Sequence, residues 1–314
     1  MTVFTFFNGL FLRVFGFLMT IVLVWTAPPK QQPTIEPLDK DNLKLQFSVI
    51  ADTHMTIYDF SNVNNTANAL QDIKASRVRQ DALVLVGDNG GRSGITDYTT
   101  LYSMISHYKP AKNVLAAMGN HDLDGITWPV IGYGPQQRHQ FYYQSLTGNK
   151  TVKPYYSQAI NGYTFIILGS EYPVWPQEGE DAPRAFLSQA QLDWLDESIR
   201  AAGEDKPVFI FLHQTLNNLH GWGGVGEQSE ALRAILESFP NIIIFNGHMH
   251  NPPNMRRLNG VTYVNLPAFV TREDNDTPCV GFQVETYDGE VVLRARDYLN
   301  SEWLADTEYR VTYP

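Results

Sequence analysis

Six short apolar segments run through this 314-residue chain, and most of them end in an aspartate, asparagine or histidine. Nearly continuous apolar runs of this length are typical of strands that are covered on both faces. The segments are residues 45–50, 81–87, 113–119, 163–169, 207–213 and 241–247. Stretches with helical spacing of apolar residues lie between several of them. The alternation predicts one α/β (α+β) domain built on β-sheets.

The helical stretches and one turn carry more specific signals. Apolar residues at helical spacing predict helices over 67–78 and 232–239. A third helix is predicted to begin at Ser188, because Ser188 and Gln191 have the spacing of a capping box. Asn161 and Gly162 predict a tight hairpin turn between two strands.

The first residues of the chain differ from the rest. Residues 1–27 are apolar apart from one arginine and a few small polar residues, and residues 28–43 are rich in proline and polar side chains. An apolar run of this length predicts a signal peptide or an N-terminal membrane anchor, followed by a linker. Trp25 stands where a cleavage site prefers a small residue, so an uncleaved anchor stays open. We expect a domain over 44–314 that is exported or membrane-tethered and extracytoplasmic.

Composition limits the classes of partner. The formal net charge is −10, and extended nucleic acids need basic grooves, so extended nucleic acid is not an expected partner. A small phosphorylated substrate remains possible, because bound metal ions reverse the local field. Cys279 is the only cysteine, which excludes an intrachain disulfide and a thiolate metal cluster.

Polar side chains gather where the predicted strands end, and ligands bind at that edge of open α/β sheets. Residues i and i+2 of an extended segment point to the same side, which suits two pairs of metal ligands one residue apart. The seven candidate ligands are Asp52, His54, Asp88, Asn120, His213, His248 and His250. Five of the 8 histidines in the chain stand at these strand ends, the fifth being His121.

These ligands offer only oxygen and nitrogen, which suits Mn²⁺, Fe, Zn²⁺ or Co²⁺. Seven ligands exceed the roughly three that a catalytic zinc takes from protein. Two ions about 3.5–4 Å apart, joined by a shared aspartate, would use all of them. For each residue taken alone, the alternative is a hydrogen-bonded polar side chain that closes a strand.

The motifs "ADTH" at 51–54, "GDNG" at 87–90, "GNHD" at 119–122, the single His213 and "GHMH" at 247–250 follow one another in a familiar order. In this set and order the chain resembles the calcineurin-like metallophosphoesterase family. The resemblance implies a four-layer fold, a two-sheet β-sandwich flanked by helices, with a dinuclear metal centre at one rim. It implies that Asp52, His54, Asp88 and His250 bind one metal ion. It also implies that Asp88, as a bridge, binds the other ion together with Asn120, His213 and His248.

The resemblance further implies a metal-dependent phosphoric ester hydrolase. Two divalent ions, Mn, Fe or Zn, lower the pKa of a bridging water that attacks phosphorus. His121 then contacts the phosphate or protonates the leaving oxygen, with Asp122 placed to orient it; a turn cap is the alternative role for Asp122. The candidate substrate-binding residues are Arg92, Asn120, His121 and Trp222. For Arg92 and Trp222 the alternative is a plain surface-loop residue.

The substrate class stays open between a phosphodiester and a phosphomonoester, since loops rather than metal ligands set specificity. We expect a small substrate such as a nucleotide or a cyclic nucleotide. Two other classes of function compete with this interpretation. A non-catalytic metal-binding scaffold would be indicated by missing ligands, and a nuclease by a basic groove.

Overall fold

The structure, a computed structural model, describes residues 35–91, 94–123, 153–172, 174, 183–217, 219, 224–270 and 277–313, and twelve strands lie within them. The strands are β1 (Leu45–Ile50), β2 (Gln80–Val86), β3 (Ala111–Ala117), β4 (Tyr156–Ile160), β5 (Tyr163–Ile167), β6 (Val208–Phe211), β7 (Ile242–Asn246), β8 (Asn254–Leu258), β9 (Val261–Asn265), β10 (Val280–Tyr287), β11 (Glu290–Asp297) and β12 (Glu302–Thr312). They make two six-stranded sheets, with orders β12-β11-β10-β1-β2-β3 and β4-β5-β6-β7-β9-β8.

Helices connect the strands. They are α1 (Phe60–Lys74), α2 (Ile95–Tyr108), the single turn α3 (Asn120–Leu123), α4 (Gln189–Ala202) and α5 (Ser229–Glu237), with a 3₁₀ turn at Gly226–Gln228. Strands β1, β2 and β3 are parallel, and so are β5, β6, β7 and β9. Because parallel strands end at the same edge of a sheet, the loops after β1, β2 and β3 lie side by side.

The core has three apolar layers. Alternate residues of β1, including Phe47, face the second sheet, where Phe47 packs edge-on against Phe165 and Phe209 with ring centroids 5.0 Å apart in both pairs. The other face of the first sheet packs against α1 and α2, and the outer face of the second sheet against α4 and α5. The predicted two-sheet sandwich flanked by helices, in four layers, is therefore confirmed.

The predicted elements occur with shifted ends. All six predicted strands are present, and the turn residues Asn161 and Gly162 have φ angles of 52° and 78°. Helix α1 begins earlier than predicted, because the side chain of Asp59 accepts a hydrogen bond from the Asn62 amide, and it ends before residue 78. Ser188 caps α4 as predicted, because its hydroxyl accepts a hydrogen bond from the Gln191 backbone amide. The Gln191 side chain does not return to Ser188 but accepts from the Gly169 amide and donates to the Gly169 carbonyl.

Residues 35–39, which we call the strap, lie against the outer face of the first sheet. Ile35 is fully buried, and its carbonyl oxygen accepts a hydrogen bond from the Arg77 amide at 2.8 Å. Arg294 Nη2 donates to the Glu36 carbonyl at 2.9 Å, and the Leu38 amide donates to Glu285 Oε2 at 2.9 Å. Part of the predicted linker at 28–43 thus contacts the domain predicted over 44–314. The linker and domain bounds themselves stay predictions.

The predicted signal peptide or anchor at 1–27 lies outside the described residues, as does the first part of the linker. Among the helices that the structure describes, none is both long and apolar enough to cross a membrane. The N-terminal segment therefore stays a prediction from the sequence.

Candidate metal centre

All seven candidate metal ligands lie in the described part of the chain, at the carboxyl ends of β1, β2, β3, β6 and β7. Imidazole nitrogens and carboxylate oxygens from these loops converge in three clusters, and within each cluster the atoms lie within 4.8 Å of one another. The clusters are Asp52 with His54 and His250, Asp88 with His213 and His248, and His54 with Asp88 and His121. The first two contain only residues that the resemblance assigned to one and the same metal ion.

The first cluster joins the loops after β1 and β7. His250 Nε2 lies 3.2 Å from Asp52 Oδ1 and 3.3 Å from His54 Nε2. His54 Nε2 is 3.8 Å from the same Asp52 oxygen. Two imidazole nitrogens and one carboxylate oxygen thus face a common point, as ligands of one cation do.

The second cluster joins the loops after β2, β6 and β7. His213 is fully buried, and its Nε2 lies 3.2 Å from Asp88 Oδ2. Its Nδ1 lies 2.8 Å from the Val86 carbonyl oxygen, so Nδ1 carries the proton and donates it. A backbone partner of this kind fixes the ring orientation and leaves Nε2 as the ligand atom. The rings of His213 and His248 are 5.2 Å apart.

Asp88 lies between the two clusters. The same oxygen, Oδ2, is 3.2 Å from His213 Nε2 and 3.7 Å from His54 Nε2, which is the place of a bridging carboxylate. Asn120 is buried nearby at the start of α3, and its Oδ1 has no hydrogen-bond partner among the described residues. Buried amide oxygens are normally satisfied, so this atom suits a bound cation.

The buried carboxylates and histidines of the centre shift one another's pKa values. Burial alone would raise the pKa of Asp88, but His213, His54 and His121 together outweigh it, and the pKa is lowered. Burial would lower the pKa of His213, yet Asp88 and then Asp52 raise it to about 10. Burial and then the charge of His213 lower the pKa of His248 to about 4. The donor set is thus rich in negative charge and holds a proton where a cation would sit, so these residues fit a divalent metal ion.

The backbone around the centre is unusual. Five candidate ligands have positive φ angles between 40° and 72°: Asp52, His54, Asp88, His248 and His250. Aspartate and histidine are among the few non-glycine residues that visit this left-handed region. Gly119 is required for a different reason, because a Cβ there would overlap both Asp88 and His213. Backbone conformation and close approach together place the ligands.

His121 lies at the centre and is only partly exposed. Its backbone amide donates to Asp88 Oδ1 at 2.8 Å, and its ring centroid is 4.8 Å from that of His54. Asp122 is fully buried, and its carboxylate accepts hydrogen bonds from the loop after β2, from Gly119 and from α2. The orienting role of Asp122 toward His121 stays a prediction.

Sequence reasoning missed two asparagines that support the ligand loops. Asn89 Nδ2 donates to the Ala117 carbonyl at 2.7 Å, which joins the loop after β2 to the end of β3. Asn246 Nδ2 donates to the carbonyls of Leu212 and Gln214 at 2.7 and 2.9 Å, on either side of His213. The available signal was an asparagine next to a ligand motif, at the end of an apolar run.

Two of the four predicted substrate-binding residues, Arg92 and Trp222, lie outside the described residues, whereas Asn120 and His121 lie at the centre. Contact of all four with a substrate stays a prediction. Gly91, which precedes Arg92, and Gly224, which lies two residues after Trp222, are described and make backbone hydrogen bonds. The Gly91 amide donates to the Met55 carbonyl at 2.9 Å, beside the loop that carries His54. The Gly224 carbonyl accepts from the Ala185 amide at 2.6 Å.

Known proteins share this architecture. A dimetal phosphatase from Danio rerio is 15% identical, with a TM-score of 0.63 over 87% of this chain and 100% of the other. GAP50 of Plasmodium, described as the anchor in the inner membrane complex, is 12% identical, with a TM-score of 0.55 over 87% of this chain and 90% of the other. At these identities the likeness shows the fold alone. A search of curated proteins gave no match.

The sequence itself matches the family model for calcineurin-like phosphoesterases over residues 45–252, about two thirds of the chain. The matched range contains all seven candidate ligands as well as His121. The family is metal-dependent, which agrees with the clusters of ligand atoms at the rim. The chain therefore belongs to the calcineurin-like phosphoesterase family.

Proposed function

We propose that the protein hydrolyses small phosphoric esters at a centre that binds two divalent cations. The observation that carries this proposal is the position of Asp88, whose Oδ2 lies near His54 of one cluster and His213 of the other. Two clusters joined by one carboxylate are what a pair of adjacent ions requires. Family membership supports a metal-dependent phosphoesterase, and the number of ions and the substrate are the proposed part.

The donor set divides between two ions. Asp52, His54, Asp88 and His250 would hold one ion, and Asp88, Asn120, His213 and His248 the other. When bound, divalent ions such as Mn²⁺, Fe²⁺ or Zn²⁺ supply positive charge that acidifies water and neutralises phosphoryl oxygens. The buried carboxylates keep these ions in place, because their charge is poorly screened inside the protein.

His121 is assigned the transfer of a proton to the leaving oxygen. Its backbone is bonded to Asp88, and its ring nitrogens reach the cluster of His54 and Asp88 without being fully buried. A substrate bound at the rim would therefore contact this imidazole. Imidazole is the side chain that most readily exchanges protons near neutral pH.

The substrate we propose is a small phosphodiester or phosphomonoester, such as a nucleotide or a cyclic nucleotide. A net charge of −10 disfavours long polyanions, which agrees with a small ligand. We also propose that the domain is exported or membrane-tethered through residues 1–27, because their apolar composition suits a signal peptide or an anchor.

The test uses the full chain purified in detergent, with Mn²⁺, Fe²⁺ or Zn²⁺ and chromogenic phosphomonoesters and phosphodiesters. We expect metal-dependent hydrolysis that is lost, together with metal content, in Asp88→Asn. We expect His121→Ala to retain its metal content and to lower kcat by about 10²–10⁴-fold, the range of general acid–base catalysis. An unchanged kcat in His121→Ala on every ester would remove the proton-transfer role.

A non-catalytic scaffold is the second candidate function. It is favoured by the likeness in fold to GAP50, which is described as an anchor. The complete set of candidate ligands favours catalysis instead, since a scaffold does not need them. If the wild-type protein binds metal but hydrolyses none of the esters, the result would support the non-catalytic scaffold.

A further inference from the structure

Asp122 has more hydrogen bonds than an orienting partner of a single histidine needs. Its Oδ1 accepts from the Gly90 amide at 3.1 Å and from the Tyr98 hydroxyl at 2.9 Å. Its Oδ2 accepts from the Gly119 amide at 2.9 Å and from Asn89 Nδ2 at 3.1 Å, and both oxygens are 3.1 Å from the Asn89 amide. Both oxygens are thus engaged by groups other than the His121 ring.

These bonds reach both loops that carry the central ligands. Asn89 and Gly90 directly follow Asp88, and Gly119 directly precedes Asn120. In the opposite direction, the His121 amide donates to Asp88 Oδ1 at 2.8 Å. The loop after β2 and the turn after β3 therefore hold each other through two carboxylates. Moving Asp122 would move the bridging position of Asp88 and the amide of Asn120 together.

Tyr98 brings α2 into this arrangement. The residue is fully buried, and its hydroxyl donates to Asp122 across 24 residues of sequence. The donors around this fully buried carboxylate are backbone amides, the Asn89 side-chain amide and the Tyr98 phenol. Tyr98 is the one donor among these that a conservative substitution removes without disturbing the backbone.

We propose that Asp122 and Tyr98 form a positioning pair that sets the separation of Asp88 and Asn120. Asp122 is in this account a positioning residue rather than a catalytic one, and it acts on metal binding rather than on the protonation of His121. The proposal rests on the proposed function only in that the centre binds divalent ions. Outer partners of metal ligands typically change metal affinity by about 10–100-fold when they are removed.

The experiment compares Tyr98→Phe with a matched control, Tyr263→Phe, in the full chain. Tyr263 is also a fully buried tyrosine, on β9 of the other sheet, and its hydroxyl has no partner among the described residues. Calorimetric titration with Mn²⁺ or Zn²⁺ alone measures affinity, and amide hydrogen exchange measures opening at Gly90 and Gly119. We expect Tyr98→Phe to weaken the binding of at least one ion by about 10-fold or more and to speed exchange at both glycines. Tyr263→Phe should change neither quantity.

Asp122→Asn gives a second, stronger test, because its amide group would face donors where the carboxylate accepts. We expect Asp122→Asn to lose more metal affinity than Tyr98→Phe. The pKa values in the pH–rate profile of any remaining hydrolysis should equal those of the wild type. Equal affinity and exchange in Tyr98→Phe and Tyr263→Phe would overturn the proposal. So would Asp122→Asn protein with wild-type metal affinity and a shifted pH limb, which would place Asp122 with His121. Failure of the wild type to hydrolyse esters affects neither binding nor exchange, so the two proposals fail separately.

Discussion

At the scale of single residues, the state of His213 without metal is the most informative. Its imidazole is fully buried between Asp52 and Asp88, with Nε2 3.8 and 3.2 Å from one oxygen of each. Burial opposes a charge there, but Asp88 and then Asp52 raise the pKa to about 10. The metal-free protein therefore carries a proton on His213 at neutral pH, and a cation must displace it, since only neutral imidazole binds metal.

This gives a prediction about stability and pH. A group whose folded pKa is raised contributes stability that is complete below its unfolded pKa, near 6.5, and lost as pH rises through the folded value. We expect chelator-treated protein to lose unfolding free energy between about pH 6.5 and 10, by about 5 kcal/mol at most. Denaturant unfolding across this pH range measures it, with the metal-loaded protein as control.

His213→Asn is the matched control for this dependence of the unfolding free energy on pH. The variant lacks the titrating group, so its metal-free stability should depend less on pH over the same range, whatever its absolute value. An NMR titration of the His213 ring in metal-free wild type gives an independent readout. A ring that deprotonates near pH 6.5 would contradict the prediction.

The meeting of the candidate ligands at one edge was predictable from sequence, but the residues that support their loops were not. Aspartate and histidine after apolar runs indicate ligands from local sequence alone, as Asp52 with His54 shows. Asn246, which bonds to the loop around His213, and Asp122, which bonds to Tyr98 in another helix, act through contacts between distant positions. Such contacts depend on the packing of whole elements, which local patterns do not contain.

At the scale of elements, the strap ties the start of the described chain to the first sheet. Ile35 fills the apolar layer beneath α1, while Arg294 and Glu285 bind the strap backbone. Local patterns did not predict this, because Pro-rich polar sequence is also typical of free linkers. The exposed edge strand β8 was missed for a related reason, since its sequence "NMRRL" has no buried face to produce a pattern.

A pair of truncations tests the strap. We expect a chain starting at residue 44 to be less stable than one starting at residue 35. Loss of Ile35 removes about 1.5–3 kcal/mol of apolar burial. The two lost hydrogen bonds, from Arg294 to the Glu36 carbonyl and from the Leu38 amide to Glu285, contribute about 1.5–3 kcal/mol each, because one partner in each is charged. Denaturant unfolding of both forms under the same metal conditions measures the difference.

Point variants separate the contribution of Ile35 from that of the deleted length. In the full chain, Ile35→Ala should lower the free energy of unfolding by about 2–5 kcal/mol. Lys40→Ala, at an exposed position just beyond the strap, should leave it within about 0.5 kcal/mol. Equal unfolding midpoints for both truncations and for Ile35→Ala would contradict a structural role for the strap.

At the scale of the whole molecule, the strap and the metal centre lie at opposite ends of the first sheet. The strap bonds to Arg77, just before β2, and to Glu285, which pairs with the amino end of β1. The candidate ligands follow the carboxyl ends of the same strands. If residues 1–27 anchor the chain, the strap that follows them in sequence contacts the end of the first sheet that is remote from the metal centre.

This arrangement predicts how the protein behaves at a bilayer. We expect the full chain to float with phosphatidylcholine vesicles in a density gradient. A form that starts at residue 35 should remain in the bottom fractions. Hydrolysis of a water-soluble ester should have the same kcat/KM, within about twofold, on vesicles and in detergent, because the strap, which follows the proposed anchor in sequence, contacts the end of the sheet remote from the centre. Equal flotation of both forms would contradict anchoring by residues 1–27.

The left-handed backbone at five of the candidate ligands has a consequence for how this protein can change over generations. Each such residue costs on the order of 1 kcal/mol or more, so the scaffold holds them against their own preference. Replacing one of them, for example Asp52→Gly, would release that strain while destroying the centre. The same change would also remove the acceptor of the His248 amide and the charge beside His213, so the relief of backbone strain and the loss of buried polar contacts would act on the stability of the fold in opposite directions.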